Sequence, residues 1–145
     1  MIFLNTKRKA ELTEMLCGCE GVCSSSTNLS SSNKFFEELQ NLGQELKYNE
    51  NFVNIVNFGT AISSIERLII LNSLKEKDRC VCELEAILNK SQSTISHHLR
   101  KLERANLIKS YKKGTWKKGS YTYYGLKREQ LQSFLTIMNK IFNSA

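Results

Sequence analysis

The sequence predicts a mainly α-helical fold with a small β-hairpin wing: a winged helix-turn-helix, dimeric through its N- and C-terminal helices. Three observations carry that expectation. Two short helical patterns joined by a tight turn occupy residues 81–102, a glycine-bounded basic loop separates two β-rich runs, and the second half of the chain is strongly basic.

The stretch Ser91-Gln92-Ser93-Thr94-Ile95-Ser96-His97-His98-Leu99-Arg100-Lys101-Leu102 organises the rest. At helical periodicity Ile95, Leu99 and Leu102 form one narrow apolar stripe. Ser93, His97, Arg100 and Arg104 fall opposite it, with Gln92, Thr94, Ser96 and Lys101 at the start and flanks. That outward face holds donors, acceptors and positive charge, which suits a phosphate-lined groove of DNA. In isolation it describes any solvated amphipathic helix, but the preceding residues change that reading. Val81, Leu84, Ile87 and Leu88 mark a second short helix, and Ser91 is a good N-cap residue after the turn Asn89-Lys90.

Upstream, Phe35, Phe36, Leu39, Leu42 and Leu46 recur at helical spacing from residue 34, with Asn33 available as N-cap. Apolar content continues from Phe52 to Phe58. A further helix is expected over about residues 61–75, where Ile62, Ile65, Leu68, Ile69, Leu71 and Leu74 supply a broad buried stripe. Downstream, β-prone residues flank the loop Gly114-Thr115-Trp116-Lys117-Lys118-Gly119, describing a two-stranded hairpin. Beside a helix-turn-helix this hairpin reads as a wing, with Lys112, Lys113, Lys117 and Lys118 placed to meet phosphate or the adjacent minor groove. Trp116 either covers apolar surface or lies along the sugar-phosphate wall. In residues 127–145, Leu131, Phe134, Leu135, Ile137, Met138, Ile141 and Phe142 spread over more than half a helix circumference. Such a wide face predicts packing partly on its own core and partly on a second copy, hence a homodimer reading half-sites about 34 Å apart.

The 145 residues carry a net charge of +7. From Arg79 onward 13 Lys and Arg face 4 Glu, while residues 1–78 are slightly acidic. Positive charge thus collects in the half that holds the helix-turn-helix, as phosphate neutralisation requires. The length is small for an enzyme with its own substrate cleft, and neither His97, which points toward DNA, nor His98, at the edge of the core, makes a convincing catalytic base. No apolar run approaches the ~20 residues of a membrane span, so a cytoplasmic protein is expected.

Residues 1–33 are expected to form a flexible arm, with a helical turn or two over residues 10–16, and residues 34–145 the DNA-binding and dimerisation domain. The arm contains Cys17, Cys19 and Cys23 and a serine-rich run that buries too little apolar area to order itself. With Cys80 and Cys82 these make five cysteines, which in a reducing compartment predict metal ligands or redox thiols rather than structural disulfides. Cys82 is expected at or next to the N-cap of the helix that precedes the recognition helix, where free backbone N–H groups favour a thiolate. Two cysteines two residues apart inside a helix diverge, so sharing an ion requires Cys80 to lie in extended chain. Thiolate ligation selects soft ions such as Cd, Pb, Zn, Cu(I) or As(III).

The segments Cys80-Val81-Cys82-Glu83-Leu84, Ser91 through Leu99, and Tyr123-Tyr124 resemble the ArsR/SmtB family of winged-helix metal-sensing repressors, over residues 34–142. The resemblance implies a dimer that holds operator DNA in the apo form and releases it when a thiophilic metal or metalloid binds. Arsenic-responsive members often carry a third cysteine where Glu85 stands, and zinc-responsive members use His on the last helix, which has none here. The chain is therefore most similar to the CadC-type (cadmium/lead) branch, in which N-terminal cysteines of the other subunit complete the Cys-x-Cys pair. Cys19 and Cys23 have that branch's spacing. The alternative is a redox-sensing winged-helix regulator whose thiols form disulfides under oxidation. A thiol enzyme is disfavoured, because there is no Cys-x-x-Cys and no second catalytic group beside the cysteines.

Overall fold

The computed structural model describes residues 4–17, 29–114, 119 and 121–143. The chain divides into two compact units, Met1–Phe52 and Val53–Ala145.

In the first unit α1 (Thr6–Cys17) packs on α2 (Leu29–Lys47). The Asn5 side chain starts α1 by accepting the Arg8 N–H at 2.8 Å, which satisfies an amide with no partner inside the helix. Ser32 donates to the Thr13 carbonyl oxygen, Phe36 is buried, and the Lys9 ammonium stands 5.2 Å over its ring. The two helices therefore run in opposite directions. α2 begins at Leu29 rather than at residue 34, so Asn33 lies inside the helix and is not its N-cap. Ser32, in the first turn of α2, is buried and bonded across to α1. Leu39, Leu42 and Leu46 of α2 are exposed.

The boundary between the units falls within α3 (Glu50–Ile62). α4 (Ile65–Glu76) follows at a bend of 93°. Ala61 and Ile62 thus close α3 rather than open the next helix. Ser64, in extended conformation, caps α4 by accepting the Arg67 N–H at 3.5 Å. Arg67 is buried, and its guanidinium donates to the carbonyl oxygens of Thr60, at 3.1 Å, and of Ala61. These belong to the last turn of α3, whose carbonyls have no partner within the helix. Turning Arg67 inward carries Ile70, Leu71 and Leu74 with it, three, four and seven residues on. Ile65, Leu68 and Ile69, expected in the buried stripe, are therefore exposed.

The remaining elements are β1 (Arg79–Cys80), α5 (Val81–Leu88), α6 (Gln92–Arg104), β2 (Ile108–Lys113), β3 (Tyr121–Leu126) and α7 (Arg128–Phe142). β2 and β3 form the expected hairpin, Ile108 opposite Leu126 and Lys113 opposite Tyr121. The sheet has a third strand, because β1 adds to β3 with Arg79 opposite Tyr124 and Cys80 opposite Tyr123. Leu84 of α5, Ile95, Leu99 and Leu102 of α6, Leu107 and Ile108 close one core with the inward side of α4. No single described helix is long and apolar enough to cross a membrane.

Candidate DNA interface and cysteine pair

The turn between α5 and α6 is made by Asn89 at φ 51°, a left-handed conformation that short polar residues tolerate, its N–H donating to the Glu85 carbonyl. Ser91 then caps α6 by accepting the Thr94 N–H at 3.4 Å. Ile95, Leu99 and Leu102 are each at most 1% exposed, and this anchoring fixes the rotation of the helix. Gln92, Ser93, His97, Arg100, Lys101 and Arg104 are exposed as a result, with Thr94 and Ser96 half-buried beside them. None of Arg100, Lys101 and Arg104 forms an ion pair among the described residues, so their charge is free for phosphate.

His98 faces back toward the scaffold, its Nδ1 3.5 Å from the Arg67 guanidinium. Burial holds its pKa below the ordinary histidine value, with the Glu66 carboxylate opposing and Arg67 reinforcing the shift. On the wing, Lys112 donates to the Thr122 hydroxyl at 2.7 Å and the Lys113 ammonium lies 5.5 Å over the Tyr123 ring. Both remain exposed. Lys117, Lys118 and Trp116 lie outside the described residues.

Cys80 ends β1 in extended conformation and is itself the N-cap of α5, which places Cys82 two residues inside the helix rather than at the cap. The extended backbone turns both sulfurs to one side, and they are joined as a disulfide across a Cα separation of 5.5 Å. Cys80 is buried and Cys82 exposed. The Glu83 carboxylate accepts the Cys80 N–H at 3.0 Å and pairs with Lys77 at 3.2 Å and Arg79 at 3.6 Å. That backbone bond first, then the two cations, lowers the Glu83 pKa. Glu83 thereby ties the cap to the helix, a role signalled in the sequence by a carboxylate three residues after the cap. Among the described residues no three His, Cys, Asp or Glu side chains converge on one point. Cys19 and Cys23 lie outside the described residues, and Cys17 is described by its backbone alone.

The buried Arg67 and the contact of Tyr111 with Asp78, at 2.6 Å, escaped sequence reading. No local pattern announces either.

A capped recognition helix beside a two-stranded wing, extended by β1 into a three-stranded sheet, defines the class, a DNA-binding winged helix-turn-helix. Residues 66–110 match the family described as bacterial regulatory protein, arsR family. The arsenical resistance operon repressor of Bacillus subtilis is 38% identical over 77 residues, covering 52% of this chain and 69% of that protein. The cadmium resistance transcriptional regulatory protein CadC of Listeria innocua is 28% identical over 85 residues, covering 58% and 67%. Among solved structures, HlyU from Vibrio cholerae superposes with a TM-score of 0.52 at 25% identity, covering 66% of this chain and 99% of that one. The chain belongs to the arsR family of transcriptional regulators; it is not an enzyme.

Proposed function

We propose that this protein is a cytoplasmic, homodimeric repressor that holds operator DNA in its metal-free, reduced form and releases it when a soft metal or metalloid ion binds cysteine thiolates. The observation that carries the reading is the convergence of the Cys80 and Cys82 sulfurs on the first turn of α5, the helix packed against α6. In the reduced protein two sulfurs so placed supply two positions of a thiolate site for Cd, Pb, Zn, As or Cu. Segment 1–33 acts as the arm, and Cys19 and Cys23, with Cys17, complete the set. The ion supplies a bridge between arm and scaffold, while Glu83 holds the cap and passes its displacement to α5.

Gln92, Ser93, Thr94, Ser96, His97, Arg100, Lys101 and Arg104 read the major groove, and Lys112, Lys113, Lys117 and Lys118 hold the flanking backbone. Dimerisation through α7 is supported by its lack of any fully buried residue, with Leu135 and Phe142 58% and 73% exposed.

The disulfide favours a second reading, in which oxidation of the same pair is the signal. Binding of the reduced protein to the promoter of its own gene, with Cd(II), Pb(II), Zn(II), As(III), Cu(I) or diamide, separates the two. Metal-induced release that Cys80→Ser abolishes is the expected result. Release by diamide alone selects the redox reading, and affinity unchanged by every agent rejects both.

A further inference from the structure

Asp78 stands immediately before β1, two residues ahead of Cys80. Its Oδ2 accepts the Tyr111 hydroxyl of β2 at 2.6 Å. The same carboxylate lies against Gly125 of β3, so close that a Cβ there would stand 2.7 Å from Oδ1. One side chain thus touches both strands of the wing. The chain then enters β1, where Cys80 lies opposite Tyr123, and the Tyr123 ring stacks on Tyr111 with centroids 6.1 Å apart and carries Lys113 on its face. Segment 78–83 is held at one end by the wing and at the other by Glu83, with the Arg79 guanidinium fastened to the Ser73 carbonyl at 3.1 Å between them.

We propose that Asp78 and Tyr111 are a latch, a pair of positioning residues through which the state of Cys80 and Cys82 is transmitted to the wing. Changing the separation or ligation of the sulfurs moves Cys80, the last residue of a two-residue strand. A strand that short has no slack, so the displacement reaches Asp78 and Tyr123 and from them β2 and Lys113. The inference rests on the thiol reading above and names its route. The wing, and not α6 alone, responds to the cysteines.

The test uses full-length protein and a labelled duplex carrying the promoter of its own gene, titrated with the protein reduced, loaded with Cd(II), and oxidised by diamide. In wild type the affinity ratio between reduced and loaded or oxidised protein is expected to be about tenfold or more, within the ordinary range of allosteric coupling. Tyr111→Phe keeps the ring and removes the hydroxyl. It is expected to leave the reduced affinity within about threefold of wild type and to shrink the ratio below about threefold. Gly125→Ala, which displaces the carboxylate without removing a polar group, should reproduce that loss. Asp78→Asn, whose amide oxygen still accepts the hydroxyl, should restore most of the ratio. A ratio kept intact in both Tyr111→Phe and Gly125→Ala, whether or not overall affinity falls, overturns the latch and leaves the thiol reading standing. Equal wild-type affinities in all three states, and with Pb(II), Zn(II), As(III) and Cu(I) in place of Cd(II), overturn both.

Discussion

The Arg67 guanidinium lies 3.5 Å from Nδ1 of His98, joining the start of α4 to the recognition helix through two side chains 31 residues apart. The same guanidinium collects the carbonyls that end α3, so three helices meet on one buried cation. The contact requires His98 to present a lone pair at Nδ1, which is the neutral imidazole protonated at Nε2.

Burial lowers the His98 pKa below the ordinary histidine value of about 6.5, so the folded state resists protonation more than the unfolded chain does. The stability associated with neutral His98 is complete above about pH 6.5 and falls as pH drops toward and through the lower folded pKa. Thermal melts from pH 8 to pH 5 should show a falling Tm below pH 6.5, and His98→Gln should flatten that part of the profile. An identical slope in the variant would assign it to other groups.

Arg67→Met removes the donors from two α3 carbonyls while preserving most of the side-chain volume. A loss of about 1–3 kcal/mol is expected in urea unfolding, because the buried Ala61 carbonyl loses its guanidinium donor, whereas the Thr60 carbonyl keeps the Ser63 hydroxyl at 2.8 Å. Arg67→Lys should recover only part of it, since one ammonium lacks the planar fork that spans both carbonyls.

Arg104 is exposed on the outward face of α6, without an ion pair among the described residues. Arg104→Ala should weaken binding to operator and random DNA alike and lower the slope of log affinity against log salt by about one. Leu99→Ala acts differently. It opens a cavity beneath the same helix and costs about 2–5 kcal/mol of fold stability.

On α7, Leu135→Asp and Phe142→Asp place charge at side chains already 58% and 73% exposed. Monomer melting should barely change, whereas sedimentation should shift toward monomer and operator affinity should fall, because half-sites are no longer bound by linked copies. Retention of a dimer in the double variant would place the interface elsewhere.

Sequence periodicity was a sound guide wherever one element's own pattern sets its rotation. Ile95, Leu99 and Leu102 were legible as a stripe, and with them the outward face of α6. The same reasoning misassigned α4, because Ile65, Leu68 and Ile69 are as apolar as the residues that are buried. There the choice of face was made by Arg67, whose partners lie on another helix.

By itself the sequence determined a basic winged helix-turn-helix and the thiols beside it, since helical and strand periods, caps and charge are local properties of consecutive residues. Tertiary structure alone decided the bend at Ser64, the third strand that carries Cys80 into the sheet, and the meeting of Asp78 with Tyr111, 33 residues away. Each depends on which unpaired carbonyl, strand edge or hydroxyl another element brings within bonding distance, and folding settles that by satisfying buried polar groups together.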